Sequence, residues 1–153
     1  MTSLNFDVIY SRFLSKVQAY DFLDLSEYQI NSFMYDWLKS SISKPYIRRL
    51  FSSILIDAEK QSLSYEMTYS VDDSSDQDFV IEVLAIGMII EWLEPKINSI
   101  LNISQMFGSK EEKFYSQSAH LGELMSLRDT LYKKQRRMVT DRGYIWNSYL
   151  DGE

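Results

Sequence analysis

His120 is the sole histidine of this chain, and cysteine is absent. Those two facts narrow the possible chemistry more than any motif does. Without thiolates there is no disulfide, no cysteine nucleophile and no Cys-based zinc or iron–sulfur site. One histidine falls short of the several His, Cys or carboxylate ligands that hold a metal, and no H-E-x-x-H spacing occurs. A hydrolase triad would have to use His120, yet no serine stands in a G-x-S-x-G string. Neither a G-x-G-x-x-G fingerprint nor a P-loop is present. A single histidine near a helix start reads more readily as a capping or packing residue than as a general base.

Carboxylates come next. Glu91 and Glu94 lie three apart and Asp78 and Glu82 four apart, spacings that share a helix face. General acid–base work needs such groups in a cleft, with pKa values pushed apart. Solvated helix faces show the same spacing far more often. We therefore expect no catalytic residue, no bound metal and no cofactor.

Four acidic residues fall within seven positions from Asp72 to Asp78. The run lacks the glycine and closing glutamate of a calcium loop. A loop that sets Asp76 and Asp78 at the positive end of a following helix is the simpler account. Toward the other end, Lys133, Lys134, Arg136, Arg137 and Arg142 place five cations in ten residues, with Asp141 among them. They could hold phosphates or meet Asp72, Asp73 and Asp76 of an adjacent copy. The second suits an acidic chain better, because its remaining surface would repel nucleic acid.

The frame that must position these groups is built on residues 76–103. Phe79, Val80, Ile81, Val83, Leu84, Ile86, Met88, Ile89, Ile90, Trp92 and Leu93 leave almost no polar side. Such a segment needs several partners around it. It is too long for an ordinary strand, and Glu82, Glu91 and Glu94 interrupt it too often for a bilayer span. We read a central helix ending or kinking at Glu94-Pro95, with Pro95 suited to open the next helix. Gly87 inside it should cost about 1 kcal/mol against alanine; either a close helix crossing requires it or it is merely tolerated.

Before this helix, Phe6, Ile9, Tyr10, Phe13, Leu14 and Val17 predict an amphipathic helix over 5–18, with Asn5 able to cap it. Ser26 and Gln29 form a capping box, with Leu25 and Ile30 as a hydrophobic staple. Ile30, Phe33, Met34, Trp37, Leu38 and Ile42 then make a buried stripe, ending by about Ser43 ahead of Pro45. Helical turns around 46–54 and an extended or loosely helical piece around 60–70 both fit the spacing, and no partner strand is evident. Ser109 and Glu112 could cap a brief turn. A last helix, roughly 118–141, shows Leu121, Leu124, Leu127 or Arg128, Leu131, Gln135 and Met138 along one side, with Gly143 to stop it.

The expected architecture is mainly α. Four to five helices surround the central one, with an irregular or short extended segment near 57–71. Residues 1–141 form the domain, and 142–153 an aromatic tail. At 153 residues with 45% apolar content, one core is sustainable and two are not. Net charge is −6, unevenly spread: residues 1–95 hold 7 basic and 15 acidic groups, and residues 96–153 hold 9 and 7. Such asymmetry can orient partners in a ring or stack. No secretory signal is expected from MTSLNFD, and the lack of cysteine fits a reducing cytosol.

The runs YDFLDLSEYQINSFMYDWLKSSISKPYIRRLF and DFVIEVLAIGMIIEWLEPKINSILNISQMFGSKEEKFYSQSAHLGELMSLRD, with the closing DRGYIWNSYL, resemble small proteins of tailed phages and prophages of Gram-positive bacteria. These are similar to head–tail connector (neck adaptor) proteins, and the likeness extends from about Phe13 to Leu150. It implies a helical adaptor in the virion neck, assembled in the host cytoplasm. It also implies a ring, dodecameric in many phages, between the portal protein and the next neck or tail protein. Genomic DNA would pass through without specific binding, and no membrane is involved. Adaptors of this type often dock on the portal through a C-terminal segment. Carried onto this chain, that makes Arg142, Tyr144, Ile145, Trp146, Tyr149 and Leu150 the docking candidates. Asp72, Asp73, Asp76, Lys133, Lys134, Arg136 and Arg137 become the lateral contacts between copies. A tail-completion or tail-assembly factor, and more distantly a small DNA-binding regulator or enzyme, are the competing readings.

Overall fold

Val80, Val83, Leu84, Ala85, Ile86 and Met88 are wholly removed from solvent. Residues 83–90 are buried without interruption, so the helix that carries them is enclosed on every side, as its composition demands. In this computed structural model the backbone is described for residues 1–17, 26–107 and 112–143, and side chains for 1–17, 26–99 and 120–143. The elements are β1 (Thr2–Asn5), α1 (Phe6–Lys16), α2 (Glu27–Ser43), α3 (Pro45–Arg48), β2 (Phe51–Asp57), β3 (Ser62–Met67), α4 (Asp73–Phe107) and α5 (Glu112–Gly143). The fold is mainly α, with α1, α2 and α5 packed around α4.

Local chemistry accounts for several boundaries. Ser26 and Gln29 form the expected reciprocal capping box at the start of α2. Met34, Leu38, Ser41 and Ile42 make its buried face. Phe33, expected in that stripe, is instead 45% exposed and lies against Trp37, at the flank of the helix. Asp72 caps α4 by accepting a hydrogen bond from the Ser75 backbone N–H at 2.8 Å. Asn5 precedes α1 but makes no side-chain cap.

Two expectations about α4 and α5 are corrected. Pro95 lies inside α4, which continues to Phe107. An interior proline removes one ladder bond and costs about 3 kcal/mol. Leu93 and Ile97, on either side of it, are fully buried, and burial of each is worth about 1.5–3 kcal/mol. Packing therefore outweighs the break. α5 begins at Glu112 rather than near 118, and the Ser109 half of the suggested cap lies outside the described residues.

The segment after α3 is not a run of helical turns. β2 and β3 form a hairpin, and β1 completes an antiparallel sheet in the order β1-β3-β2. The extended piece near 60–70 is β3, and the partner strands that were not evident are two: β2, just before it, and the first few residues of the chain, where Leu4 faces Leu63 and Thr2 faces Tyr65. Leu63, Tyr65 and Met67 turn to the core, as period-two alternation requires. The alternation does not extend to Tyr69 and Val71, which lie beyond β3 and are exposed. Among the described residues no helix is long and apolar enough to cross a membrane.

Candidate functional site

The carboxylates that could have formed acid–base pairs are engaged by cations: Asp78 and Glu82 share Arg12, while Glu91 and Glu94 take Lys44 and Arg128. Arg12 reaches from α1 to α4, donating to Glu82 at 2.7 Å and to Asp78 at 3.1 Å. Lys16 and Lys134 also approach Glu82, at 2.6 and 3.6 Å. Burial pushes the Glu82 carboxyl up, but hydrogen bonds from Lys16 and Arg12, with the charges of Lys16 and Lys134, hold it below its ordinary value. Glu91 pairs with Lys44 at 3.2 Å. Glu94 meets Arg128 at 3.6 Å and accepts from the Tyr132 hydroxyl at 3.3 Å. These groups bind helices to one another; no two of them converge on a common reacting position. Among the described residues no cluster of three or more His, Asp or Glu is placed to hold a metal ion.

The basic cluster of α5 divides in two. Lys133 and Arg137 are exposed. Arg136, also exposed, sits over the Tyr46 ring, 5.9 Å from its centre, while Lys134 reaches Glu82. Asp72 and Asp73 are exposed at the start of α4. The Ser75 N–H holds the Asp72 carboxyl below its usual range.

Two expected surface residues are corrected. Arg142, assigned to a partner, and Asp76, assigned to a second copy, are both buried and form an ion pair with each other. Asp76 also accepts from the Ser70 hydroxyl at 2.5 Å and the Val71 N–H at 3.0 Å. The Arg142 guanidinium lies 4.7 Å from the centre of the Phe79 ring, and its Nε is buried without a hydrogen-bond partner. Burial lowers the Arg142 pKa, against the opposing charge of Asp72. The reason is one of length: α5 runs to Gly143, so Arg142 belongs to the body and the proposed domain edge moves past it. Tyr144, Ile145, Trp146, Tyr149 and Leu150 lie outside the described residues.

A feature that sequence reasoning missed is a trench of about 660 Å³ where the end of α1 meets α4 and α5. Ile89, Leu93, Leu124, Leu127 and Leu131 are among its apolar walls, and Trp92 lies along it. Lys16, Lys96, His120 and Lys134 are the basic residues among its described lining, and Lys16 and Lys134 both reach Glu82. Lys96 lies over the Trp92 ring at 4.2 Å. His120 is thus an exposed residue inside α5, not a cap. No sequence signal marks the trench: Leu127 lies in register with the core stripe, and only the structure shows it 44% exposed.

No protein-family model, curated protein or solved structure shows a significant match to this chain.

Proposed function

We propose that this protein is a head–tail connector of a tailed phage, assembling as a ring between portal and tail through which DNA passes. The observation that carries this reading is the change of character at Gly143. Up to that point the conspicuous carboxylates Glu82, Glu91, Glu94 and Asp76 are engaged inside the body by cations of other elements. Beyond it stand Tyr144, Ile145, Trp146, Tyr149 and Leu150, large amphipathic side chains of the kind that anchor protein interfaces. The end of α5, which precedes this segment in sequence, is tied to the start of α4 by Arg142 and Asp76. A segment of that composition following a packed helical body suits docking. The sequence resemblance supplies the portal as the surface it meets. The exposed Lys133, Lys134, Arg136 and Arg137, with Asp72 and Asp73, are the remaining candidates for contacts between copies.

The test is capture by cognate portal rings, comparing the full chain with a chain stopped after Gly143. Stopping before Arg142 would strand Asp76 as a buried unpaired charge and confuse loss of docking with loss of fold. Binding by the full chain alone is the expected result. Equal binding by both removes the docking role from the aromatic segment. Binding by neither moves the protein to the tail side of the neck, as a tail-completion factor.

A further inference from the structure

We propose that the face of α5 formed by Lys133, Arg136 and Arg137, with Arg49 beside it, is a docking strip for the phosphodiester backbone of nucleic acid, bound without regard to base sequence. The cations at the helix contacts meet carboxylates: Arg12, Lys16 and Lys134 reach Glu82, Lys44 reaches Glu91, Arg128 reaches Glu94 and Arg142 reaches Asp76. Lys133, Arg136, Arg137 and Arg49 differ. All four are exposed, and among the described residues none of them has a carboxylate within ion-pair distance. Positions 133, 136 and 137 share one side of a helix. Lys133 and Arg136 line a cleft of about 500 Å³ together with Lys44, Tyr46, Asp129 and Tyr132. Arg49 continues the strip beside Val139, about one turn further along α5.

Charge density chooses the partner. From Lys133 to Val139 the helix rises about 9 Å, and the four cations stand within that length. One strand of a duplex sets a phosphate about every 3.4 Å of axis, so about three face the strip. An extended acidic peptide sets the carboxylates of one face roughly 7 Å apart, which would leave about half of these cations unmatched. The acidic run of an adjacent copy is poorer still, because Asp76 is engaged by Arg142 and Asp78 by Arg12. Three of the four cations are arginines, whose planar fork suits phosphate oxygens. The net charge of −6 does not cancel the strip, since charges beyond about 10 Å are largely screened at about 0.1 M salt. The nearby acids bound it instead: Asp129 meets Arg128 at 3.5 Å, and the exposed Asp141 lies one turn past Arg137. Neither the portal nor a ring enters into this contact, so it stands apart from the connector reading.

The experiment is fluorescence anisotropy of a labelled, mixed-sequence DNA duplex titrated with the full chain over a series of salt concentrations. About three phosphate contacts give a log–log salt slope of about −2.7, so binding should weaken about 40-fold from about 20 to 80 mM KCl. Lys133→Gln with Arg137→Gln should flatten that slope by about 2. Arg49→Gln, on a different element, should flatten it by about 1 and decides the matter should the double variant prove unfolded by circular dichroism. Lys39→Gln, an exposed position on α2, should leave the slope unchanged, and a duplex of different sequence should bind equally. No binding at the lowest salt overturns the proposal, as does a slope indifferent to Lys133, Arg137 and Arg49. Equal loss from Lys39→Gln would mean diffuse attraction and no strip. Poly-glutamate that displaces the duplex at equal charge concentration would assign the strip to an acidic protein and overturn the proposal equally.

Discussion

Arg142, in the last turn of α5, donates to the carboxylate of Asp76, in the first turn of α4, and both are shielded from water. The two residues stand 66 apart in sequence. Their pairing ties the C-terminal end of α5 to the N-terminal end of α4. A buried pair of this kind is weak as a source of net stability but costly to break on one side, because the survivor stays buried and unpaired.

Asp76→Ala or Arg142→Ala should each lower unfolding stability by about 3–5 kcal/mol, read from urea denaturation. Asp76→Leu with Arg142→Met should cost much less than the two single losses together. A single-site loss below about 1 kcal/mol would show that the pair is hydrated rather than buried.

Gly87 is required by the crossing of three helices. A Cβ there would fall 2.9 Å from the Ser41 Cβ on α2 and 3.0 Å from the Gln135 Nε2 on α5. Gln135 uses that closeness to donate to the Val83 carbonyl at 2.9 Å while accepting from Tyr46 at 2.5 Å. Gly87→Ala gains about 1 kcal/mol of helix propensity but overpacks a site closed by the Ser41 side chain and by Gln135, which two hydrogen bonds hold, costing about 1–3 kcal/mol. Net destabilisation by thermal melting is expected, and Ser41→Gly in the same chain should recover part of it. A more stable Gly87→Ala protein would mean that α2 and α4 separate freely there.

Acid should loosen the packing of α1 on α4 through Glu82. Its folded pKa lies below the ordinary 4.5, so its charged form stabilises the fold above pH 4.5. That contribution is lost as pH falls through the lower folded value. Glu82→Gln should therefore be less stable than the parent at pH 7, with the difference shrinking toward pH 3 in a series of denaturant titrations. A difference independent of pH would assign the residue's role to packing alone.

The cations of α5 should sort by their neighbours. Lys133→Glu with Arg137→Glu changes exposed positions, and stability should stay within about 0.5 kcal/mol in chemical denaturation. Lys134→Glu sets a carboxylate beside Glu82 and should destabilise measurably. If the exposed pair serves contacts between copies, ring assembly in the Lys133→Glu, Arg137→Glu protein should fail while its fold persists; intact rings would remove these residues from the interface.

Much of this molecule is written in local patterns. The oily run 79–93, the capping box at Ser26 and the amphipathic spacing of α1 each follow from neighbours a few residues away, and the structure contains all three. Period and capping are short-range physics, so one sequence suffices. The aromatic segment after Gly143 and the lone histidine were likewise legible as residue types. What only the tertiary structure decided depends on residues distant in the chain. Thr2–Asn5 becomes a strand because Ser62–Tyr65 offers it hydrogen bonds, and Pro95 stays helical because Leu93 and Ile97 are buried against other elements. Asp76 and Arg142 change from surface candidates to a buried pair for the same reason. The trench, too, exists only where α1, α4 and α5 meet. Propensity is a preference of about 1 kcal/mol per residue, and burial across the chain is large enough to overrule it.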